Sequence, residues 1–292
     1  MRPDAPDARL APPRAPTEDE WARLTPTERA AVVEGLPAAM GETEASPPEG
    51  DRHYDAKNDA RATLREWYRR LGRSVYVAAE LTTYYPGEAR FAPDVLAVRD
   101  VPVHDRSKWV VSAEGKGLEW VLEVHVGGDR KKDAELNVAR YARLGIPEYF
   151  IYDRARQHLL GYRLPAADTR TYARIVPQAG RYPSEVLGLD LALEDGSLRF
   201  FHANAELLPP QHLAARLEHM LAEVAAERDA EADRARAEAE RARMEAERAR
   251  VEAERARTEA ERARVEAERA RDAEARVAQL EAELARARRD PE

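Results

Sequence analysis

Hydrophobic and polar positions divide the chain into a part with mixed strand and helix periods and a C-terminal part with a seven-residue period. Across residues 53–71, Ala60, Leu64, Trp67, Tyr68 and Leu71 recur at helical spacing, and Gly72 supplies a stop. Residues 74–84 are rich in β-branched and aromatic types and predict a strand, followed by a Pro86-Gly87 turn. Residues 91–98 predict a second strand, with Pro93 tolerated at its start. Residues 116–126 predict a third, in which Trp120, Leu122, Val124 and Val126 share one face and Val121, Glu123 and His125 the other. Beyond Gly127-Gly128, Asp129 is the predicted N-cap of a helix over 130–144, closed by Gly145. Residues 148–153 form the fourth strand. The strand–helix–strand order predicts that strands three and four are parallel. Shorter strands follow around 158–164 and 171–175, and another over 187–201 carries a Glu-Asp-Gly turn.

The ends of the chain read differently. Residues 1–17, rich in Pro, Ala and Asp, are predicted to be disordered. Thr17 and Glu20 have the spacing of a capping box, which starts a helix whose Trp21, Leu24, Ala30, Val32 and Val33 can pack on the domain. Residues 37–50 read as a loop. From Pro210 onward, Leu213, Leu217, Met220, Leu221 and Val224 form a helical stripe, and a Glu-Arg-Ala-Arg-x-Glu-Ala heptad takes over. The heptad seam is mostly Ala, with Val277, Leu280 and Leu284 as larger members. Arg243–Glu247, Arg250–Glu254 and Glu247–Arg250 have the spacing of intrahelical ion pairs. Both a weak coiled coil and a lone charge-stabilised helix fit this pattern; the coiled coil, and with it a homodimer, is favoured. The domain plan is a disordered 1–17, an α/β domain over 18–205 and a helical tail over 210–290.

Composition narrows the class. The 43% hydrophobic content suits a globular protein, while the 35% charged content is concentrated in the tail. The net charge of −8 therefore describes a composite and does not argue against nucleic-acid binding by the α/β part. The tail itself matches Glu to Arg almost one for one, which makes it a solvated helix rather than a phosphate-binding surface. With no Cys, disulfides and thiolate zinc sites are excluded. The first residues lack the apolar core of a signal peptide, and no run has the length of a membrane span, so the expectation is a soluble cytoplasmic protein.

Two acids interrupt apolar strands. Asp94 follows Pro93, and Glu123 stands mid-strand 29 positions later in Glu123-Val-His125. A carboxylate in a buried strand is costly unless something compensates it. This order of Pro-Asp, spacer, acid and a basic helix resembles the restriction-endonuclease-like nuclease superfamily, with its Pro-Asp…Asp/Glu-x-Lys signature. More narrowly, the chain is similar to the Uma-type family of endonucleases. The matching residues are Pro93-Asp-Val-Leu-Ala-Val, Val121-Leu-Glu-Val, Asp133, Tyr141-Ala-Arg-Leu-Gly-Ile-Pro-Glu-Tyr-Phe-Ile-Tyr-Asp and the Gly-Tyr-Arg-Leu after it, within residues 52–203.

The resemblance implies a mixed central sheet flanked by helices and metal-dependent hydrolysis of DNA phosphodiesters. Asp94 and Glu123 would share a hard cation, Mg²⁺ or Mn²⁺, which prefers carboxylate oxygens, with Glu80 as a possible third acid. The signature Lys is displaced. His125 stands at its usual position, and Asn137 at the alternative position on the helix, between Asp133 and Tyr141. Lys132 is the expected substitute and Lys131 the next choice. His125 can ligate metal or orient water, and can equally be structural. Asp94 as a strand cap and Glu123 in a structural ion pair are the bland readings. Two rival functions stay open: a degenerate nuclease fold that binds nucleic acid or protein without cutting, and a scaffold assembled through the tail.

Overall fold

A computed structural model describes residues 12–41, 50–126 and 130–287, with the side chains of 130–135 and 287 outside that set. The expectations for residues 1–11, for the loop at 42–49 and for Asp129 as a helix cap lie outside the described residues. The elements in order are α1 (Glu18–Arg23), α2 (Pro26–Gly35), α3 (Asp51–Leu71), β1 (Val75–Ala78), β2 (Thr83–Tyr84), β3 (Val95–Arg99), β4 (Trp109–Val110) and α4 (Val111–Glu114). Then follow β5 (Trp120–His125), α5 (Arg130–Arg143), β6 (Glu148–Asp153), β7 (His158–Arg163), β8 (Ala173–Arg174), β9 (Tyr182–Ser184), β10 (Leu189–Glu194), β11 (Ser197–His202), β12 (Ala205–Leu207) and α6 (Pro210–Ala287). The chain falls into two compact units, Met1–Arg216 and Leu217–Glu292.

The first unit is built on a mixed six-stranded sheet in the order β1-β3-β5-β6-β7-β8. β5 and β6 are parallel across α5, as the crossover requires, and the remaining neighbours are antiparallel. Both faces are covered. Trp120, Leu122, Val124, Phe150 and Tyr152 pack with Ala60, Leu64 and Tyr68 of α3, while Leu96, Val98, Val121, Tyr149 and Ile151 pack with Tyr141 and Ile146. Two buried faces explain why β5 and β6 read as nearly continuous apolar runs. They also make any acid in those strands conspicuous.

One such acid is structural. The Glu148 side chain is fully buried and takes Arg163 Nε at 2.8 Å, the Glu185 N–H at 2.8 Å and the Ser184 hydroxyl. Both carboxylate oxygens are hydrogen-bonded and one bond comes from a guanidinium, so the charge is compensated inside the fold. The bonds tie β6 and β7 to the chain entering a second sheet, in the order β12-β11-β10-β9. The residues over 187–201, expected to carry a Glu-Asp-Gly turn at 194–196, form the β10–β11 hairpin of that sheet and turn there. Asp195 and Gly196 turn it with φ of 49° and 71°, the left-handed pair that a two-residue hairpin needs. Leu191 and Phe200 then close over the α3 side of the main core.

Other expectations are modified by local chemistry. The strand expected over 74–84 breaks at Glu80, whose φ is +52° and whose N–H donates to the Pro93 and Asp94 carbonyls. β2 beyond the break pairs in parallel with β4 in a separate two-stranded sheet. A second capping box, Thr25 with Glu28 and Pro26 at the first position, divides the N-terminal helix into α1 and α2. Ala15, expected in the disordered segment, is buried and bridges Pro86.

α6 is continuous over 78 residues. Its larger seam residues Val277, Leu280 and Leu284 are exposed. The expected pairs Arg243–Glu247, Arg250–Glu254 and Glu247–Arg250 are not formed among the described residues, although Arg264 reaches Glu261 at 3.8 Å. Long solvated side chains gain little from such pairing and keep their rotamer freedom instead. No described helix is long and apolar enough to cross a membrane.

Candidate active site

Asp94 and Glu123 face each other. β3 and β5 pair Val95 with Leu122, so one step further along the ladder brings Asp94 beside Glu123. Pro93 has no N–H to offer a ladder, and regular pairing ends there. The Asp94 N–H donates to Glu123 Oε2 at 3.4 Å, and the Val124 N–H donates to Asp94 Oδ2 at 2.7 Å. Each acid is thus fixed by the other strand's backbone.

α3 supplies the second wall. Its buried face carries His53, Lys57, Ala60, Leu64 and Tyr68, a stripe at spacings of three and four that is polar at the start and apolar afterwards. The polar start lies on the carboxylates. His53 Nε2 is 3.2 Å from Asp94 Oδ2. Lys57 Nζ is 3.7 Å from Asp94 Oδ1 and 2.5 Å from Glu80 Oε1. Glu80 reaches this position because its left-handed backbone turns the chain out of β1. Its carboxylate is linked to that of Asp94 through the ammonium group of Lys57. α5 closes the site from the other face with Tyr141, whose buried hydroxyl donates to Glu123 Oε1 at 2.6 Å.

The two carboxyls titrate in opposite directions. Burial alone would raise Asp94, but the His53 bond, the Val124 N–H and the positive charges of His53 and Lys57 outweigh it, holding Asp94 below its ordinary range. Glu123 is pushed well above its ordinary value, first by burial and then by the negative charge of Asp94, and the Tyr141 hydroxyl only partly offsets this. Tyr141 is driven up in turn, by burial and by the acid it touches. The pair thus favours the ionised form at Asp94 and the protonated form at Glu123. Two acids forced to share a site in this way form a functional-site candidate on physical grounds.

The other expected residues are placed as follows. His125 is two residues from Glu123 on the same strand face, and its side chain makes no hydrogen bond or ion pair with either acid among the described residues. Lys131 and Lys132 are on the first turn of α5, and their side chains lie outside the described residues. Among the described residues, no three His, Asp or Glu side chains gather as a metal cage. The sequence reading missed His53, Lys57 and Tyr141 as members of the site. Lys57 and His53 had a signal: both fall on the apolar stripe of α3, where a cation and an imidazole need a partner.

Comparison with known proteins adds the family. Residues 24–194, more than half of the chain, match the model of the Uma2 family, described as "Putative restriction endonuclease". No curated protein matches the chain. A crystal structure from Anabaena variabilis, described as "a putative nuclease belonging to DUF820", aligns with a TM-score of 0.40 at 14% identity, over 59% of this chain and 90% of that one. The match of 24–194 takes in α3, Asp94, Glu123 and Tyr141 together, and on it the chain belongs to the Uma2 family of nuclease-like proteins.

Proposed function

We propose that this chain is a divalent-cation-dependent endonuclease that hydrolyses DNA phosphodiester bonds at the Asp94–Glu123 site. The observation that carries the reading is the carboxyl pair itself, two acids held side by side in buried strands by backbone N–H groups of each other's strand. A hard cation such as Mg²⁺ or Mn²⁺ fits this donor set, because such ions are held by one or two carboxylates, with water and substrate phosphate completing the shell. When bound, the ion supplies Lewis-acid polarisation of a phosphate oxygen and lowers the pKa of a water.

The residues of the chain do the rest. His53, Lys57 and the Val124 N–H favour the ionised form of Asp94. Glu123 would be the second carboxylate to hold the cation, kept in orientation by the Tyr141 hydroxyl. Lys57 is the cation that the signature position lacks. Its ammonium group arrives from α3 rather than from β5 or α5, and can face the charge that builds on the phosphate. Lys132, Lys131 and His125 are further assisting candidates. Residues 18–205 form the proposed nuclease domain, and residues 210–290 a tail that joins two copies.

The test is cleavage of supercoiled and linear DNA with Mg²⁺ or Mn²⁺, alongside Asp94→Asn and Glu123→Gln. The reading requires cleavage by the wild type that chelator abolishes and that both variants lose. Cleavage that persists in both variants would remove it. The rival reading, a nuclease fold that binds without cutting, rests on the missing Lys at positions 125 and 137. It requires binding of DNA with no cleavage under any divalent ion.

A further inference from the structure

Beside the site lies a cleft of about 360 Å³ that reaches Lys57 and Glu80 and runs along α3 to Arg65. Lys57, Arg61 and Arg65 line it at intervals of four residues, so each step along the helix is about 6 Å. Arg61 is partly exposed and Arg65 exposed, and neither has an ion-pair partner among the described residues. The opposite wall contains Arg106, but that guanidinium is spent: it pairs with Glu114 at 2.8 Å and lies over the Tyr76 ring at 4.4 Å. Of the acids on the wall, Glu80 is already matched by Lys57 and Asp105 remains. The unmatched charge is therefore positive and sits on α3. At the mouth, on the same helix, Tyr54 is 65% exposed.

An exposed aromatic ring on the same helix as two arginines that have no ion-pair partner among the described residues, in a cleft that reaches the carboxylate site, is the chemistry of a single-strand binder. Rings stack bases, and the cations follow the backbone. A duplex would be recognised through its grooves, whereas this narrow cleft follows one helix and suits a strand lying along it. We propose that this cleft holds an unpaired nucleic-acid strand next to the scissile phosphate, with Arg61 and Arg65 on successive phosphates and Tyr54 stacked on a base. The inference rests on the nuclease reading for the identity of the ligand, and adds that the substrate is single-stranded or opened at the site.

The test is fluorescence anisotropy of the full-length protein with a dye-labelled single-stranded DNA oligonucleotide and with a blunt duplex of the same sequence, in chelator so that nothing is cut. The wild type should bind the single strand more tightly than the duplex. Arg61→Ala with Arg65→Ala should weaken that binding at least tenfold and flatten the slope of log affinity against log salt by about 1.4, roughly 0.7 per phosphate. Arg61→Lys with Arg65→Lys should keep the slope. Tyr54→Ala should cost about tenfold with the slope unchanged, and Tyr54→Phe should restore binding. An arginine double variant that melts normally and binds with wild-type affinity and slope overturns the inference, as does a preference for duplex. If the wild type still cleaves DNA in either case, the nuclease reading survives; binding to neither probe together with no cleavage removes both.

Discussion

Lys57 Nζ lies 3.7 Å from Asp94 Oδ1, so the positive charge of the carboxylate site comes from α3, well upstream of the strand β5 where the family signature places it. The lysine is itself buried, which a lysine tolerates only with partners in reach; here these are Asp94 and Glu80. Lys57→Met leaves Asp94 without its cation and should destabilise the fold by about 3 kcal/mol. It should also cut DNA cleavage at least a hundredfold, more than Lys131→Ala or Lys132→Ala does. Denaturant unfolding and initial cleavage rates of the three variants decide between the lysines.

Glu123 makes a signed pH prediction. Its folded-state pKa is raised above the ordinary value of 4.5, so the fold holds the proton more tightly than the unfolded chain does. Stability from this group is present below the unfolded value and is lost as pH rises through the folded value. Glu123→Gln removes that loss. The variant should match the wild type near pH 4 and melt at a higher temperature than it near neutrality, in chelator, while losing cleavage. Melting curves that stay parallel from acid to neutral pH would show that Glu123 ionises freely.

Much of this site was legible in the chain, for reasons that differ by residue. Asp94 and Glu123 stood out because β3 and β5 are buried on both faces, so an acid in them breaks an apolar run. The β5–α5–β6 crossover followed from period and order alone. Lys57 was hidden because a lysine on a helix is usually solvated, and only the stripe shared with His53, Ala60 and Leu64 shows that this one points inward. The break at Glu80 could not be read, since a left-handed backbone at a glutamate is imposed by the Pro93 and Asp94 carbonyls rather than by local propensity. The second sheet was missed because the β10–β11 hairpin carries the same alternation as any further strand of the first.

Glu148 separates a structural acid from the candidate site. Glu148→Gln disturbs a buried, fully satisfied carboxylate and should cost about 3 kcal/mol of stability by urea unfolding. Cleavage per folded molecule, measured well below the melting temperature, should stay within twofold of the wild type. A hundredfold loss would place Glu148 in the chemistry.

The tail predicts a weak dimer. Its seam is largely alanine, with Val277, Leu280 and Leu284 contributing most of the apolar area. Light scattering should give a mass near twice 32.9 kDa at high concentration, falling on dilution. Leu280→Asp with Leu284→Asp, or removal of residues 226–292, should give a monomer at every concentration. A monomeric full-length chain would leave the tail as a lone helix.

The most direct test of the carboxyl pair is calorimetric titration of Mn²⁺ into the protein near neutral pH, repeated in two buffers of different ionisation enthalpy. If the pair is the cation site, one ion binds per chain, binding releases a proton from Glu123, and affinity rises with pH. In Glu123→Gln the proton release disappears and affinity falls at least tenfold. Binding of equal strength and equal proton release in that variant, or no binding by the wild type, would contradict the account.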